Sequence, residues 1–225
     1  ADSPLPGEGG STRRVWRVPQ MGQRYVIGAD PTGTSAKGDY AAAHVFDLYR
    51  LEQQAVLHGR MGPDEFATML GETGLRYNKA IIVVEANTYG DIVIKRLLDA
   101  GYPNVHIRAT IDQLTGRATY AYGVDVTSAN KAKMIANLAS YIKHDSLILH
   151  DRATVEELLS ITRKRERVME TFEAAMGHDD LASSLWVLLW VHNDLLSAAP
   201  ARPLEGPAWG RDGAGRRRVI PSGYY

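Results

Sequence analysis

The stretch Ile81-Ile-Val-Val-Glu85 decides the fold class of this 225-residue chain. Its four consecutive β-branched residues indicate a strand covered on both faces, because such strands carry apolar side chains without alternation. A second apolar run, Tyr25-Val-Ile-Gly-Ala29, has the same character and is also followed by an acidic residue, Asp30. We therefore predict that these two strands lie side by side and parallel near the centre of a sheet.

The remaining pattern places further strands and helices around this pair. Two more strands, at Ala41–Leu48 and Ala55–Met61, predict an antiparallel meander with the first. We expect helices at Pro63–Gly74, Gly90–Ala100, Ser128–Lys143 (with Ser128 as its cap), Thr154–Leu159 and Asp180–Leu196, a strand at Val105–Arg108 and a hairpin within Ile161–Phe172. Three strands followed by alternating helix and strand indicate an α/β fold, a mixed sheet with helices on both faces.

The two ends of the chain differ in composition from its middle. Residues 1–22 contain prolines and early glycines without apolar periodicity, and we expect a linker from a preceding domain, absent here. Residues 198–225 are rich in Pro, Gly and Arg, which indicates a mobile basic tail. Residues 23–197 would then form one domain, and neither end should carry core structure.

Composition limits the kind of site the chain can hold. The chain has no cysteine, so disulfides, thiolate metal ligands and cysteine nucleophiles are excluded. It carries 26 basic and 26 acidic residues, and this neutrality favours chemistry on DNA over simple coating of it. No apolar run approaches the roughly 18 residues of a membrane span, and no signal sequence is visible, so we expect a cytoplasmic protein without a membrane partner.

Four acidic residues stand where predicted elements begin or end. Asp30 and Glu85 follow the two buried strands, and Asp179 and Asp180 open the last helix. Carboxylates that converge repel one another unless protons or cations lie among them. Oxygen ligands favour Mg²⁺ or Mn²⁺, and two such ions about 3.5–4 Å apart suit in-line phosphodiester hydrolysis.

Each acid also has a simpler interpretation. Asp30 before Pro31 could only start a turn, and Glu85 could be a solvated strand end. One residue of the pair Asp179 and Asp180 could be an N-cap or a first-turn acid. The coincidence of all of them at the ends of buried elements favours a metal site.

Three motifs resemble the nuclease domain of tailed-phage large terminase subunits. Tyr25-Val-Ile-Gly-Ala-Asp30-Pro, followed by Gly38-Asp-Tyr-Ala41, is similar to the start of that domain. Ile81-Ile-Val-Val-Glu85-Ala-Asn-Thr-Tyr-Gly90 resembles its second acidic motif, although some relatives have Asp at the acid. Gly177-His-Asp-Asp-Leu-Ala182 is similar to the third and most specific motif, and the resemblance spans residues 23–197 in order.

The resemblance implies an RNase H-like, two-metal endonuclease that cuts concatemeric viral double-stranded DNA during packaging in the bacterial host. Asp30, Glu85 and Asp179 would be its catalytic metal ligands, with Asp180 a possible further one. The terminase ATPase domain, the small terminase subunit and the portal would be its partners. The chain itself lacks the Gly-x-x-x-x-Gly-Lys-Ser/Thr loop of an ATPase.

A few basic residues are candidates for contact with DNA. Arg163, Arg165 and Arg167 alternate along the predicted hairpin, so they could line a DNA groove, although a charged solvated hairpin has the same pattern. Lys131 could reach a phosphate or lie on a solvated helix face. His178 could bind metal, activate water or close a loop.

Other functions share parts of this pattern. Asp30-Pro-Thr-Gly-Thr34 resembles the phosphate loop of actin-like sugar kinases, but the chain is too short for their second nucleotide-binding half. A Holliday-junction resolvase or transposase of the same fold remains open. So does a non-catalytic DNA-packaging scaffold, whose acids would only solvate loop ends.

Overall fold

The structure of the chain is a computed structural model. The structure describes residues 3–6, 12–33, 40–111, 115–165, 170–174, 179–197, 209–211 and 217–219, with the backbone alone in 162–165, 170–174, 209–211 and 217–219.

A five-stranded mixed sheet forms the centre of the molecule, with strand order β1-β4-β3-β2-β5. Its strands are β1 (Arg13–Val15), β2 (Tyr25–Asp30), β3 (Ala41–Asp47), β4 (Gln53–Gly59) and β5 (Ile81–Val84). β2 and β5 pair in parallel and the other neighbours pair antiparallel. The predicted meander and the predicted parallel pair are both confirmed. The expected place of the pair near the centre of the sheet is wrong for β5, which is the last strand of the order and, within the described ranges, has only isolated bridges on its outer side, such as that from Ile82 to Val105.

Strand β1 lies in the segment that we expected to be a linker. It pairs with β4, from Arg13 opposite Leu57 to Val15 opposite Ala55. The side chains of Val15 and Trp16 are buried in the core. The expectation that residues 1–22 carry no core structure is therefore wrong for this part, because a short edge strand needs no apolar periodicity to be held by its neighbour.

In the part of the chain that the structure describes, five helices accompany the sheet: α1 (Pro63–Arg76), α2 (Thr88–Asp99), α3 (Ser128–Lys143), α4 (Arg152–Ser160) and α5 (Asp180–Ser197). α1 continues past Gly74, where the sequence suggested its end. Ser128 is not the cap of α3, since Thr127 forms a capping box with Asn130. Thr127 lies one residue before Ser128, where the backbone is still extended, and its hydroxyl accepts from the Asn130 amide at 3.3 Å.

The helices form two layers, one on each face of the sheet. Ile27 and Ala29 of β2 pack in the same cluster as Phe66 and Leu70 of α1. Val26, on the opposite face of the strand, packs in the cluster built around α5 and α3. Thirteen of the 18 residues of α5 are buried, so this helix lies in the core, as its nearly continuous apolar sequence predicted.

Three hairpins lie outside the central sheet among the described residues. They are β6–β7 (Ile107–Ile111 with Ala118–Tyr122), β8–β9 (Ile161–Arg165 with Glu170–Ala174) and β10–β11 (Trp209–Arg211 with Arg217–Val219). The second confirms the hairpin expected between Ile161 and Phe172. The strand expected at Val105–Arg108 is displaced, since Val105 makes only an isolated bridge to Ile82 and β6 begins at Ile107.

Within the part of the chain that the structure describes, no helix is both long enough and apolar enough to cross a membrane.

Candidate active site

The ends of the two parallel strands bring Asp30 and Glu85 together. Ala29 of β2 is in register with Val84 of β5, and the Glu85 amide donates to the Ala29 carbonyl at 2.9 Å. Ala29 and Val84 both face the α1–α2 layer. Since side chains alternate along a strand, the next residue of each strand faces the α5 layer. Asp30 and Glu85 are therefore neighbours on the α5 side of the sheet.

Gly28 allows helix α5 to pass close to this edge. A Cβ at Gly28 would overlap the carbonyl oxygen of Ser184 and lie 2.5 Å from the Cβ of Leu188. The helix axis therefore approaches β2 more closely than any side chain at this position would allow. As a result, the first turn of α5, which follows Asp179, lies over the ends of β2 and β5.

Ser183 in this first turn links the two strand-end carboxylates. Its hydroxyl donates to Glu85 Oε2 at 3.2 Å, and it also opposes the rise in the pKa of Asp30. Asn87, the N-cap of α2, also opposes the rise in the pKa of Glu85. A Cβ at position 90 would overlap the Glu85 carbonyl. Because Gly90 has none, the first turn of α2 can lie against the end of β5.

The electrostatics of the pair are those of crowded, partly dehydrated acids. Burial raises the pKa of Asp30 well above its ordinary value. The charge of Glu85, and then those of Asp180 and Asp179, raise it further. The pKa of Glu85 is also raised, first by burial, although the bond from Ser183 and the charge of a nearby lysine oppose the shift. Such a cluster is stabilised by positive charge placed within it.

Asp179 and Asp180 have different surroundings. Asp179 is about one third exposed, and its Oδ2 lies 2.9 Å from the ammonium of Lys131. Asp180 is buried, and its Oδ2 accepts from the backbone amide of Tyr40 at 3.2 Å. The carbonyl of Asp179 accepts the first helical bond of α5, from the Ser183 amide at 2.6 Å, so Asp179 stands at the N-cap position. Its carboxylate, however, is directed to Lys131.

Glu157 of α4 is a site residue that the sequence did not reveal. Its Oε1 accepts from the Ala182 amide at 2.8 Å, so it caps the first turn of α5 from outside the helix. Burial raises the pKa of Glu157 to about 7, and repulsion from Asp180 and Asp179 adds to the shift. Its neighbour Glu156 pairs with an exposed arginine, and nothing in the sequence distinguishes the two glutamates.

A chain of buried hydrogen bonds through Gln53 and His44 holds the start of α5 at Leu181. Gln53 Oε1 accepts from the amides of His150 and Asp151, both at 2.7 Å, so its amide nitrogen must be directed to His44 Nδ1, 2.9 Å away. His44 then carries its proton on Nε2 and donates it to the Leu181 carbonyl at 3.0 Å. Burial lowers the pKa of His44 to about 4, so the ring stays neutral.

A known protein family matches most of the sheet and the helices around it. The model of the terminase RNaseH-like domain matches residues 27–189. This chain belongs to that family. The match contains Asp30, Glu85, Asp179 and Asp180, and it confirms the resemblance drawn from the three motifs.

Solved structures of large terminase nucleases have a similar fold. The large terminase nuclease from thermophilic phage G20c, described with bound magnesium, is 21% identical with a TM-score of 0.64, covering 84% of this chain and 92% of that one. The same nuclease with bound cobalt is 22% identical with a TM-score of 0.67 and the same coverage. The nuclease domain from Thermus phage P74-26 is 22% identical with a TM-score of 0.64, covering 83% and 88%. At this identity the likeness shows the RNase H-like fold.

The side chains of this terminase-family domain fit a divalent metal by their chemistry. All the converging donors are carboxylate oxygens, which suit Mg²⁺ and Mn²⁺, and their raised pKa values indicate a demand for positive charge. Among the residues described, no three acidic or histidine side chains already form a metal-binding cluster. Each of three carboxylates instead has a protein partner: Ser183 for Glu85, Lys131 for Asp179 and the Tyr40 amide for Asp180.

The structure describes only some of the remaining predicted site residues, which are the basic residues and His178. Arg163 and Arg165 occupy alternate positions of strand β8, as expected for a hairpin. Arg167 and His178 lie outside the described residues. Their DNA-binding and metal-binding roles stay predictions. Lys131, expected at a phosphate or on a solvated face, contacts Asp179 within the acidic site.

Proposed function

We propose that this domain is a metal-dependent endonuclease that hydrolyses phosphodiester bonds of double-stranded DNA and cuts concatemeric viral DNA during genome packaging. The observation that carries the proposal is the half-buried pair Asp30 and Glu85 at the ends of β2 and β5, where Ser183 of the first turn of α5 donates to Glu85. Membership of the terminase family supplies the substrate class. The G20c structures with bound magnesium and cobalt support the use of divalent ions.

Asp30, Glu85 and Asp179 are the ligands in this proposal, and Asp180 is a further candidate. Two Mg²⁺ or Mn²⁺ ions, when bound, would activate water and stabilise the leaving oxygen. The chain's own residues position the carboxylates. Ser183 holds Glu85 in place, and Glu157 fixes the turn that follows Asp179.

The proposed partners follow from the family. Double-stranded DNA is the substrate, and basic residues such as Arg163, Arg165 and Arg167 would contact its backbone. The terminase ATPase domain, the small terminase subunit and the portal would present that DNA. The place of action would be the cytoplasm of the bacterial host.

Cleavage of supercoiled plasmid tests the proposal. Wild-type protein should nick the plasmid in Mn²⁺ or Mg²⁺ and lose this activity in EDTA. Asp30→Asn and Asp179→Asn should each reduce the rate by about a thousandfold or more, because lost ligands remove several kcal/mol of barrier lowering. DNA binding in EDTA, measured by gel shift, should survive in both variants.

Asp99→Asn is the matched control. Asp99 is an exposed acid at the far end of α2, about 18 Å along the helix from the turn that contacts Glu85. Its variant should nick at the wild-type rate. A wild-type protein that never nicks but still binds DNA would indicate a scaffold instead. An Asp30→Asn variant with wild-type activity would show that the site lies elsewhere.

A further inference from the structure

Lys131 places a positive charge inside the acidic site. It lies in the first turns of α3, and its Nζ is 2.9 Å from Asp179 Oδ2. Its charge also favours the ionised form of Glu85 and opposes the rise in the pKa of that carboxyl. The ammonium therefore pairs directly with Asp179, and its charge also acts on Glu85.

The position of this ammonium is fixed by the protein. Lys131 Nζ lies 4.9 Å from the centroid of the Trp186 ring, within range of a cation–π interaction. Trp186 belongs to α5 and is 1% exposed, so its ring cannot move freely. The Lys131 side chain is itself only 34% exposed. It is thus held between a rigid aromatic face and a carboxylate.

We propose that Lys131 is the counter-cation of the acidic site in its metal-free state, and that a divalent ion binding at Asp179 must displace it. This inference rests on the proposed function, because it concerns the same carboxylates. One oxygen of Asp179 cannot serve an ammonium at 2.9 Å and a dication together without strong repulsion between the two cations. Lys131 should therefore stabilise the metal-free protein and weaken its affinity for divalent ions.

A variant that removes the charge of Lys131 but keeps most of its side chain tests both expected effects, on the stability of the metal-free protein and on the affinity for divalent ions. Lys131→Met retains a flexible apolar stem that can still pack on Trp186. In EDTA this variant should melt at a lower temperature than wild type, since the carboxylates lose their counter-charge. Its dissociation constant for Mg²⁺, measured by calorimetry at fixed pH and ionic strength, should fall about 3- to 10-fold.

Two variants serve as controls. Lys131→Arg keeps the charge and should bind Mg²⁺ much as wild type does. Lys133→Met removes an exposed charge from the same helix and should change neither the melting temperature in EDTA nor the affinity. If Lys131→Met does not fold, Lys131→Gln replaces it in both measurements with the same expectations.

The outcomes separate this inference from the proposed function. Wild-type binding of Mg²⁺ together with equal or weaker binding by Lys131→Met would overturn the inference and leave the metal site standing. Absence of Mg²⁺ binding in wild type and in Lys131→Met alike would overturn the metal site, and the displacement with it. An unchanged melting temperature of Lys131→Met in EDTA would show that the lysine does not act as a counter-cation.

Discussion

The close approach of α5 to strand β2 at Gly28 predicts a large effect of one methyl group. In Gly28→Ala the new Cβ would lie 2.5 Å from the Cβ of Leu188 and overlap the Ser184 carbonyl. Ordinary carbon contacts are about 3.5–4.0 Å, so the helix would have to move by about 1 Å. Overpacking typically costs about 1–3 kcal/mol. Because the obstructing atoms are backbone and Cβ, we expect about 3 kcal/mol, at the upper end.

Gly71→Ala is a matched control for this substitution. Gly71 lies inside helix α1, and a Cβ there would meet only the Leu97 Cδ2, at an ordinary 3.5 Å. Alanine is the better helix former, so this variant should gain about 0.4–1 kcal/mol. The same chemical change should therefore have opposite signs at the two positions.

Thermal and urea unfolding in EDTA measure both effects. For a domain of this size, about 3 kcal/mol corresponds to a fall in Tm of about 6–12 °C, and the control should rise by about 1–4 °C. A Gly28→Ala protein within about 0.5 kcal/mol of wild type would refute the close packing of α5 on β2. The placement of Ser183 against Glu85 would then lose its structural basis.

Three further predictions concern the edge strand and two titrating groups. Trp16→Ala should cost about 3–5 kcal/mol in urea unfolding, while Val18→Ala, at a side chain 55% exposed, should stay within about 0.5 kcal/mol; a tolerated Trp16→Ala would restore the linker interpretation. The folded-state pKa of His44 is lowered from 6.5 to about 4, so the unfolded chain takes the proton first. Wild type should therefore lose up to about 3 kcal/mol as the pH falls from 6.5 to 4, and His44→Gln should show a flatter slope. The folded-state pKa of Glu157 is raised from 4.5 to about 7, so wild type should lose about 1–2 kcal/mol as the pH rises through this range, allowing for solvent screening. Glu157→Gln should not show that loss. For His44 or for Glu157, curves of unfolding free energy against pH that stay parallel in wild type and variant would contradict the shifted pKa of that residue.

The parallel strands β2 and β5 were predictable because their signal is local. Ile81–Val84 and Tyr25–Ala29 are apolar without alternation, which requires cover on both faces, and the acid after each run then has to meet the other at one edge. The structure confirms the parallel register that follows. Strand β1 has only three residues beside Pro- and Gly-rich sequence, so its pairing with β4 depends on tertiary contact.

The polar residues that support the site were not predictable for a different reason. Glu157 and Glu156 are adjacent and chemically identical, and only the approach of α5 gives one of them the Ala182 amide. His44 sits in an apolar strand, and its role depends on Gln53 and Leu181, which lie 9 and 137 residues away in the sequence and meet it only in the folded chain. Lys131 has the spacing of a solvated helix residue, and its contact with Asp179 arises from packing between α3 and α5.

The most direct test of the metal site is an anomalous difference map from crystals of this domain soaked in millimolar Mn²⁺. We expect at least one peak within about 2.5 Å of a carboxylate oxygen of Asp30 and of Glu85 or Asp179. The same soak of Asp30→Asn crystals should weaken or remove that peak. Wild-type crystals that show Mn²⁺ only at other positions, or not at all, would contradict the assignment of these carboxylates as the metal ligands of a nuclease.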